Sequence, residues 1–284
     1  MRDRIRREIV RLGGGLRLNG DMSRPAMARA LGLFDEFASS MRQWGTERAW
    51  AVGTSALREA PSAGVFLDSA RKTLGFELEV INGDEEARLT SVGVQAGVGR
   101  INDGVILDIG GGSTEFARLE GGREAGRTSI PEGVVHLTER FLHSDPPSGQ
   151  ELLAIRESVR ELMADLPLGG TTLVATAGTP TTLAALDLAI DEYDPTLVNG
   201  HVLSRERVSG LVQKLCSLTS SQRLALPGME RGREDLIVAG AIIIDELMDR
   251  WQYDELLVSD WGLLEGIAIE CAVAGRGYEI GKGA

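Results

Sequence analysis

The sequence predicts an α/β protein of about two domains. Three observations carry this expectation. The chain has 284 residues, against roughly 150 per domain. Short buried apolar runs alternate with helical periodicities, the order expected of a sheet with crossover helices. Several of those runs end in loops of glycine, serine and threonine, where open α/β sheets hold ligands.

The elements follow in order. Glu8-Ile-Val-Arg-Leu12 reads as a short extended piece before a Gly13-Gly14-Gly15 turn. Ser23 is a candidate N-cap with Pro25 in the first turn, and Met27, Ala30, Leu31, Phe34, Phe37, Ala38 and Met41 recur at helical spacing, so residues 24–43 form an amphipathic helix. Ala49-Trp-Ala-Val52 is a strand, and Gly53-Thr-Ser-Ala-Leu-Arg-Glu-Ala60 a loop. A helix follows over 65–74 and a strand over 76–81. This β–α–β order requires a parallel pair. Asn82-Gly83-Asp84 caps a helix over 85–95. Gly104-Val-Ile-Leu-Asp108-Ile is a buried strand, and Gly121-Gly122 turns a hairpin that returns over 124–130. Helices are expected over 132–142 and 149–166, a strand over 172–176 with a helix after it, a long helix over 235–250, a strand over 255–259 and a last helix over 262–274. The domain boundary is placed near residue 100. The domains are 1–100 and 101–261, and the C-terminal helix of 262–284 is expected to pack back on the first.

Composition excludes several classes. Mean hydropathy is −0.04, and the longest apolar run, residues 236–244, is far short of the roughly 20 residues a membrane span needs. The basic N-terminus has no apolar stretch after it, so it does not read as a secretory signal. Cys216 and Cys271 are too few for a disulfide framework or a four-ligand zinc site and read as helix core. A reducing cytoplasm is the expected location. The net charge of −12, with a pI near 4.9, argues against duplex nucleic acid as a partner. His136, His143 and His201 lack metal-ligand spacing, and the four tryptophans are scattered.

The strongest motif is Asp108-Ile-Gly-Gly-Gly-Ser-Thr-Glu115. Three glycines let backbone N–H groups approach an anion closely, and Ser113 adds a hydroxyl. A Rossmann or Walker loop must open a helix. This one opens a second strand, which is the phosphate hairpin of the actin, Hsp70 and sugar-kinase fold. Asp108 and Glu115 flank the loop with carboxylates suited to a divalent cation. Gly178-Thr-Pro-Thr-Thr-Leu opens a helix and offers N–H groups at its positive end. Arg58 lies just past the carboxyl end of a strand and suits a bidentate phosphate contact. In Asp84-Glu-Glu86-Ala-Arg88, one carboxylate can activate a water, but position alone does not choose between Glu85 and Glu86.

Together, the strings 52–60, 81–89, 107–116, 177–185 and 230–240 resemble the exopolyphosphatase/guanosine pentaphosphate phosphohydrolase (Ppx/GppA) family, over about residues 7–268. The resemblance implies two actin-like (ribonuclease H-like) domains with the active site in the cleft between them. It also implies hydrolysis of terminal phosphoanhydride bonds with Mg²⁺. It makes Glu86 the catalytic base and gives Asp108 and Glu115 metal binding and water positioning. Gly110, Gly111, Gly112, Ser113, Arg58, Gly178 and Thr179 become phosphate ligands. Polyphosphate is the expected substrate and guanosine pentaphosphate the alternative. A third reading is a non-catalytic polyphosphate or nucleotide sensor. A homodimer is a further expectation of the resemblance.

The sequence departs from that pattern in three places. The family's first Asp-x-Gly-x-Asn-Ser phosphate hairpin has no counterpart after Met1, so the first domain is expected to be incomplete; the chain ends without the extra C-terminal helical domains of longer members and is expected to be a short form. Leu264 stands where the family carries Arg. Glu132 and His136 stand where Leu and Arg are common.

Overall fold

The computed structural model describes residues 6–166 and 169–280. The chain divides into two compact units, Met1–Val80 with Gly277–Ala284, and Ile81–Arg276. Among the described residues, no helix is long and apolar enough to cross a membrane.

The smaller unit is built on the helix read from residues 24–43. Helix α1 (Leu16–Asn19) precedes α2 (Arg24–Trp44), whose N-cap Ser23 accepts the Ala26 N–H at 3.3 Å. This satisfies one of the orphan donors of the first turn. Gly45, in the left-handed region, ends α2. Residues 6–11 make no strand pairing. After β1 (Arg48–Ala49), the strands β2 (Ala51–Gly53) and β3 (Leu78–Val80) pair in parallel, Val52 opposite Glu79. Helix α4 (Ala63–Leu74) makes the crossover. The segment read as a loop over 53–60 contains one turn of helix, α3 (Ser55–Glu59). Its Ala-Leu-Arg-Glu residues are good helix formers, and the turn buries Leu57 with Phe66, Ala70 and Leu78. Tyr278 and Glu279 form a strand antiparallel to β1.

The larger unit is a six-stranded sheet. In chain order its elements are α5 (Gly83–Val98), β4 (Gly104–Ile109), β5 (Thr114–Glu120), β6 (Arg123–Ile130), α6 (Val134–Phe141), α7 (Gly149–Leu162), β7 (Thr172–Thr176), α8 (Gly178–Leu188), α9 (Pro195–Val198), β8 (Val202–Ser204), α10 (Arg205–Ser217), α11 (Ser220–Leu224), α12 (Ile237–Trp251), β9 (Glu255–Val258) and α13 (Leu263–Val273). The strand order is β6-β5-β4-β7-β9-β8. The β4–β5–β6 ladder is antiparallel, β4–β7–β9 is parallel, and β8 joins the edge antiparallel. Without β8, an antiparallel meander followed by two parallel strands is the sheet of an actin-like, ribonuclease H-like domain.

Helices cover both faces, so all six residues of β4 are buried. Val105, Leu107, Ile109, Phe116, Leu173 and Ala175 join the cluster that contains nearly all of α12. That placement explains the long apolar run at 236–244. Ile106, Ala117, Leu119 and Val174 form the opposite face with Val94 of α5. Helices α5 and α13 cross at glycines. A methyl group at Gly93 would stand 1.9 Å from the Gly262 carbonyl oxygen, and one at Gly266 would stand 1.9 Å from that of Leu89.

The division falls at Val80/Ile81, whereas the sequence reading set it near residue 100. Helix α5 packs on β5, β6 and α13, so it belongs to the larger unit. Helix α13 packs on α5, which the sequence reading had placed in its first domain of residues 1–100. The residues that join the smaller unit are those that pair with β1 after Gly277. Cys216 and Cys271 lie in helices as expected, but both are only partly buried.

Candidate active site

The Asp108 string folds as an antiparallel hairpin whose register sets the chemistry. Asp108 pairs with Glu115 across β5 and with Thr176 across β7. Directly opposite residues point to the same face of a sheet, so the two carboxylates share the face that α5 covers. Gly110 N–H donates to the Ser113 carbonyl at 3.0 Å. The carbonyls of Gly110 and Gly111 accept the N–H groups of Val134 and Val135, which start α6. A methyl group at Gly133 would stand 2.5 Å from both carbonyl oxygens, so only glycine lets α6 brace the loop. Among the described residues, the N–H groups of Gly111 and Gly112 donate to no protein acceptor. The sequence reading assigned all three glycines to phosphate; the N–H of Gly110 is taken up within the loop by the Ser113 carbonyl. Ser113 is buried, and its side chain bonds Glu115.

Helix α5 supplies the third carboxylate. Its N-cap Asn82 accepts the Glu85 N–H at 2.8 Å, and the helix then presents Glu85 and Glu86 about 100° apart. Their environments separate the two. Glu85 binds Arg88 at 2.8 Å and also Arg276, and these hydrogen bonds pull its carboxyl down to about 2. Arg88 is further tied to Glu270 at 3.0 Å. Glu85 is therefore the anchor of an ion-pair network joining α5 to α13. Glu86 is buried, and its charge acts on Glu115. One turn later on the same side of α5, the Thr90 hydroxyl donates to Asp108 Oδ2 at 2.8 Å.

The acids facing one another are strongly perturbed. Burial pushes Asp108 above the ordinary carboxylate range, and the Thr90 hydroxyl pulls it part of the way back. Glu115 is pushed up to about 8, first by burial and then by the charges of Glu86 and Asp108. Ser129 of β6 donates to Glu115 Oε1 at 2.8 Å, while Oε2 is buried with no hydrogen-bond partner. Among the described residues, no group of three or more such side chains has the spacing of an all-protein metal cage. Mg²⁺-type ions do not need one, because one or two carboxylates with waters and substrate phosphate oxygens complete their shell. The Asp108/Glu115 pair, with its orphaned buried oxygen, fits that donor set.

The second loop differs from its sequence reading. Ala177, the residue after β7 and before α8, has φ 75° and ψ −165°, a region that is nearly glycine-only and costs of the order of 1–3 kcal/mol. The hydroxyls of Thr181 and Thr182 turn back onto the carbonyls of Ala177 and Gly178, at 2.8 and 2.7 Å. Thr179 packs against Gly240, where a methyl group would stand 2.1 Å from its Oγ1. The Arg233 guanidinium lies on Gly178 so closely that a side chain there would collide with it. A cation over the positive end of a helix is an arrangement that favours a bound anion. Sequence reasoning quoted Arg233 within the 230–240 string but gave it no role.

Arg58 lies on α3 of the smaller unit. His136 is buried, while His201 bonds Asp187 at 2.8 Å beside Arg207. Leu264, where the family pattern has Arg, is exposed. Thr90 and Ser129 went unread. The available signal for Thr90 was its position four residues after Glu86, on the stripe that includes Gly93 and Val94.

Backbone N–H groups open beside desolvated carboxylates, at the end of an actin-like sheet, suit a phosphoryl-handling enzyme. Comparison with known proteins makes the class specific. The Ppx/GppA phosphatase family model matches residues 4–273, and the chain belongs to that family. Exopolyphosphatase 2 of Mycobacterium tuberculosis is 37% identical over 279 residues, covering 93% of this chain and 87% of that protein. The crystal structure of the Aquifex aeolicus Ppx/GppA family member superimposes with a TM-score of 0.82 at 29% identity, covering 95% and 89% of the two chains. A guanosine-5'-triphosphate,3'-diphosphate pyrophosphatase of Photobacterium profundum is 26% identical over 278 residues, covering 95% of this chain and 54% of that protein. The chain is thus a hydrolase of the phosphatase type.

Proposed function

We propose that the chain is an exopolyphosphatase that releases terminal phosphate from inorganic polyphosphate. The observation that carries this reading is the separation of Glu85 from Glu86. The first is consumed by two arginines, whereas the second is buried and acts electrostatically on Glu115, the carboxylate opposite Asp108. The 37% identity to an exopolyphosphatase favours polyphosphate over the guanosine nucleotide named for the 26% relative.

In this reading, the Gly111 and Gly112 N–H groups hold oxygens of the terminal phosphate, and Arg233 with the Gly178–Thr179 helix start holds the anion further along. Arg58 is proposed as a phosphate ligand on the strength of its sequence string. Glu86 holds a water and takes its proton as the water oxygen bonds to the terminal phosphorus. The bond from phosphorus to the bridging oxygen breaks, leaving a chain one phosphate shorter. A divalent cation, Mg²⁺ being the expected one, would be held by Asp108 and Glu115 and would neutralise charge on the phosphate oxygens. There is little covalent chemistry for the protein to do, so positioning and charge dominate.

The test is phosphate release from polyphosphate with Mg²⁺, by the wild type and by Glu86→Gln, in the presence and absence of guanosine pentaphosphate. General-base loss is expected to lower the rate by at least ~10²-fold with the fold retained. A wild-type rate in the variant removes Glu86 from the mechanism. Preferred turnover of the nucleotide makes guanosine pentaphosphate the substrate. Tight polyphosphate binding without turnover by either protein supports a sensor.

A further inference from the structure

We propose that Thr90 is a positioning residue that fixes which oxygen of Asp108 faces the cation, and that Ser129 does the same, more weakly, for Glu115. The inference rests on reading Asp108 and Glu115 as cation carboxylates. It concerns the residues behind them.

A carboxylate has two equivalent oxygens and rotates about its last bond unless something distinguishes them. Here each is distinguished by a hydroxyl from a different element. Thr90, buried on α5, donates to Asp108 Oδ2 at 2.8 Å. Ser129, on β6, donates to Glu115 Oε1 at 2.8 Å. Each bond occupies one oxygen and leaves the other. At Glu115 the remaining oxygen, Oε2, is buried and has no hydrogen-bond partner, so it is the atom left for a cation. Hydrogen bonds behind ligating carboxylates set ligand orientation, and losing one typically costs 10–100-fold in metal affinity.

The two hydroxyls are not equal. Thr90 is the side-chain donor that acts on Asp108, whereas Glu115 is bonded by both Ser113 and Ser129. Among the described residues, loss of Thr90 leaves Asp108 without its side-chain hydrogen bond, while loss of Ser129 leaves Glu115 that of Ser113. Thr90 also lies one helical turn from Glu86. The same helix thus carries the proposed base and the hydroxyl that orients the facing acid. The Gly93 and Gly266 contacts lock α5 against α13 and so fix both at once.

The test is Mn²⁺ titration by calorimetry and by electron paramagnetic resonance, on the full chain with saturating inorganic phosphate. Thr90→Val keeps the shape and removes the donor, whereas Thr90→Ser keeps the donor and removes a methyl group. Asp108→Asn is the control for the cation site, and circular dichroism checks each fold. Thr90→Val is expected to weaken Mn²⁺ by at least ~10-fold. Thr90→Ser should stay within about threefold of wild type, and Ser129→Ala should fall between them. The proposal is overturned if Thr90→Val binds as tightly as wild type while Asp108→Asn does not bind; the cation site then stands without it. Equal loss in Thr90→Ser and Thr90→Val would assign the effect to packing and overturn the donor argument. If the wild type itself binds no Mn²⁺, the cation reading falls, and this inference with it.

Discussion

Two regions of the larger unit bury carboxylates to a similar depth and treat them in opposite ways. Glu246 on α12 is 4% exposed and Glu115 on β5 is 2% exposed. Glu246 is clamped by two guanidiniums. Arg156 bonds Oε1 and also reaches Asp245 at 2.8 Å, and Arg160 bonds Oε1 at 3.1 Å and Oε2 as well. Among the described residues, Glu115 has side-chain hydrogen bonds from the hydroxyls of Ser113 and Ser129, and it faces two further acids. The cost of taking an ion out of water is the same kind of cost in both places. A chain with 27 arginines matches the charge at Glu246 and leaves it unmatched at Glu115. Uncompensated burial of this kind marks a site selected for chemistry rather than stability.

The contrast has a sign that stability measurements can read. The largest expected effect lies at the compensated site. Replacing Arg156 and Arg160 together by Met strands the Glu246 charge and should cost about 3–5 kcal/mol, seen as a lower urea midpoint. No loss would mean that Glu246 is held by packing alone. At the uncompensated site, removing charge should stabilise. Glu115→Gln, in metal-free buffer at pH 8, should gain of the order of 0.5–2 kcal/mol, and with Mg²⁺ it should release no phosphate. A destabilised Glu115→Gln would show that the hydroxyls already compensate the acid.

The pH dependence sharpens the same point. The folded Glu115 carboxyl lies at about 8, against an ordinary 4.5. Below 4.5 both states hold the proton and the group contributes no penalty. As pH rises past 4.5 the unfolded chain releases its proton first, so the folded state binds more protons and stability falls until about pH 8. Metal-free wild type should therefore lose melting temperature across that window more steeply than Glu115→Gln. Parallel curves would place the shift elsewhere.

Much of this site is legible in the sequence because it is local. Asp108, the three glycines and Glu115 lie within eight residues, and hairpin geometry alone brings the two acids together. Legibility fails where distant partners decide. Glu85 and Glu86 differ by who faces them, and Arg276 and Glu115 are both far along the chain. A cue existed: Glu86, Thr90, Gly93, Val94 and Gly97 form one stripe of α5, and Glu85 and Arg88 have ion-pair spacing on another side. The domain boundary was misplaced for a similar reason. Gly99-Arg100 has the look of a linker, but α5 is held by α13, some 170 residues later. At the second loop, the hydroxyls of Thr181 and Thr182, to which the sequence reading gave no separate role, are bonded to the carbonyls of Ala177 and Gly178 at the helix start, a use of Thr that composition does not reveal.

The smallest effect in the comparison is also the most discriminating. Glu85→Gln removes the centre of a partly exposed ion-pair network with Arg88 and Arg276. Such pairs contribute modestly, so the loss at pH 7 should be about 0.5–1 kcal/mol. The hydrolysis rate should stay within about threefold of wild type, because in this reading Glu85 takes no part in proton transfer. Its folded carboxyl sits at about 2, below the ordinary 4.5. Its contribution is therefore complete above 4.5 and fades as pH falls toward 2, so the stability gap between wild type and Glu85→Gln should close in acid. The two neighbouring glutamates then separate on the rate: Glu85→Gln changes acid-dependent stability and spares the rate, while Glu86→Gln lowers the rate. A Glu85→Gln rate as low as that of Glu86→Gln would instead mean that the ion-pair network sets the position of α5 for catalysis, and the two residues would have to be read as one unit.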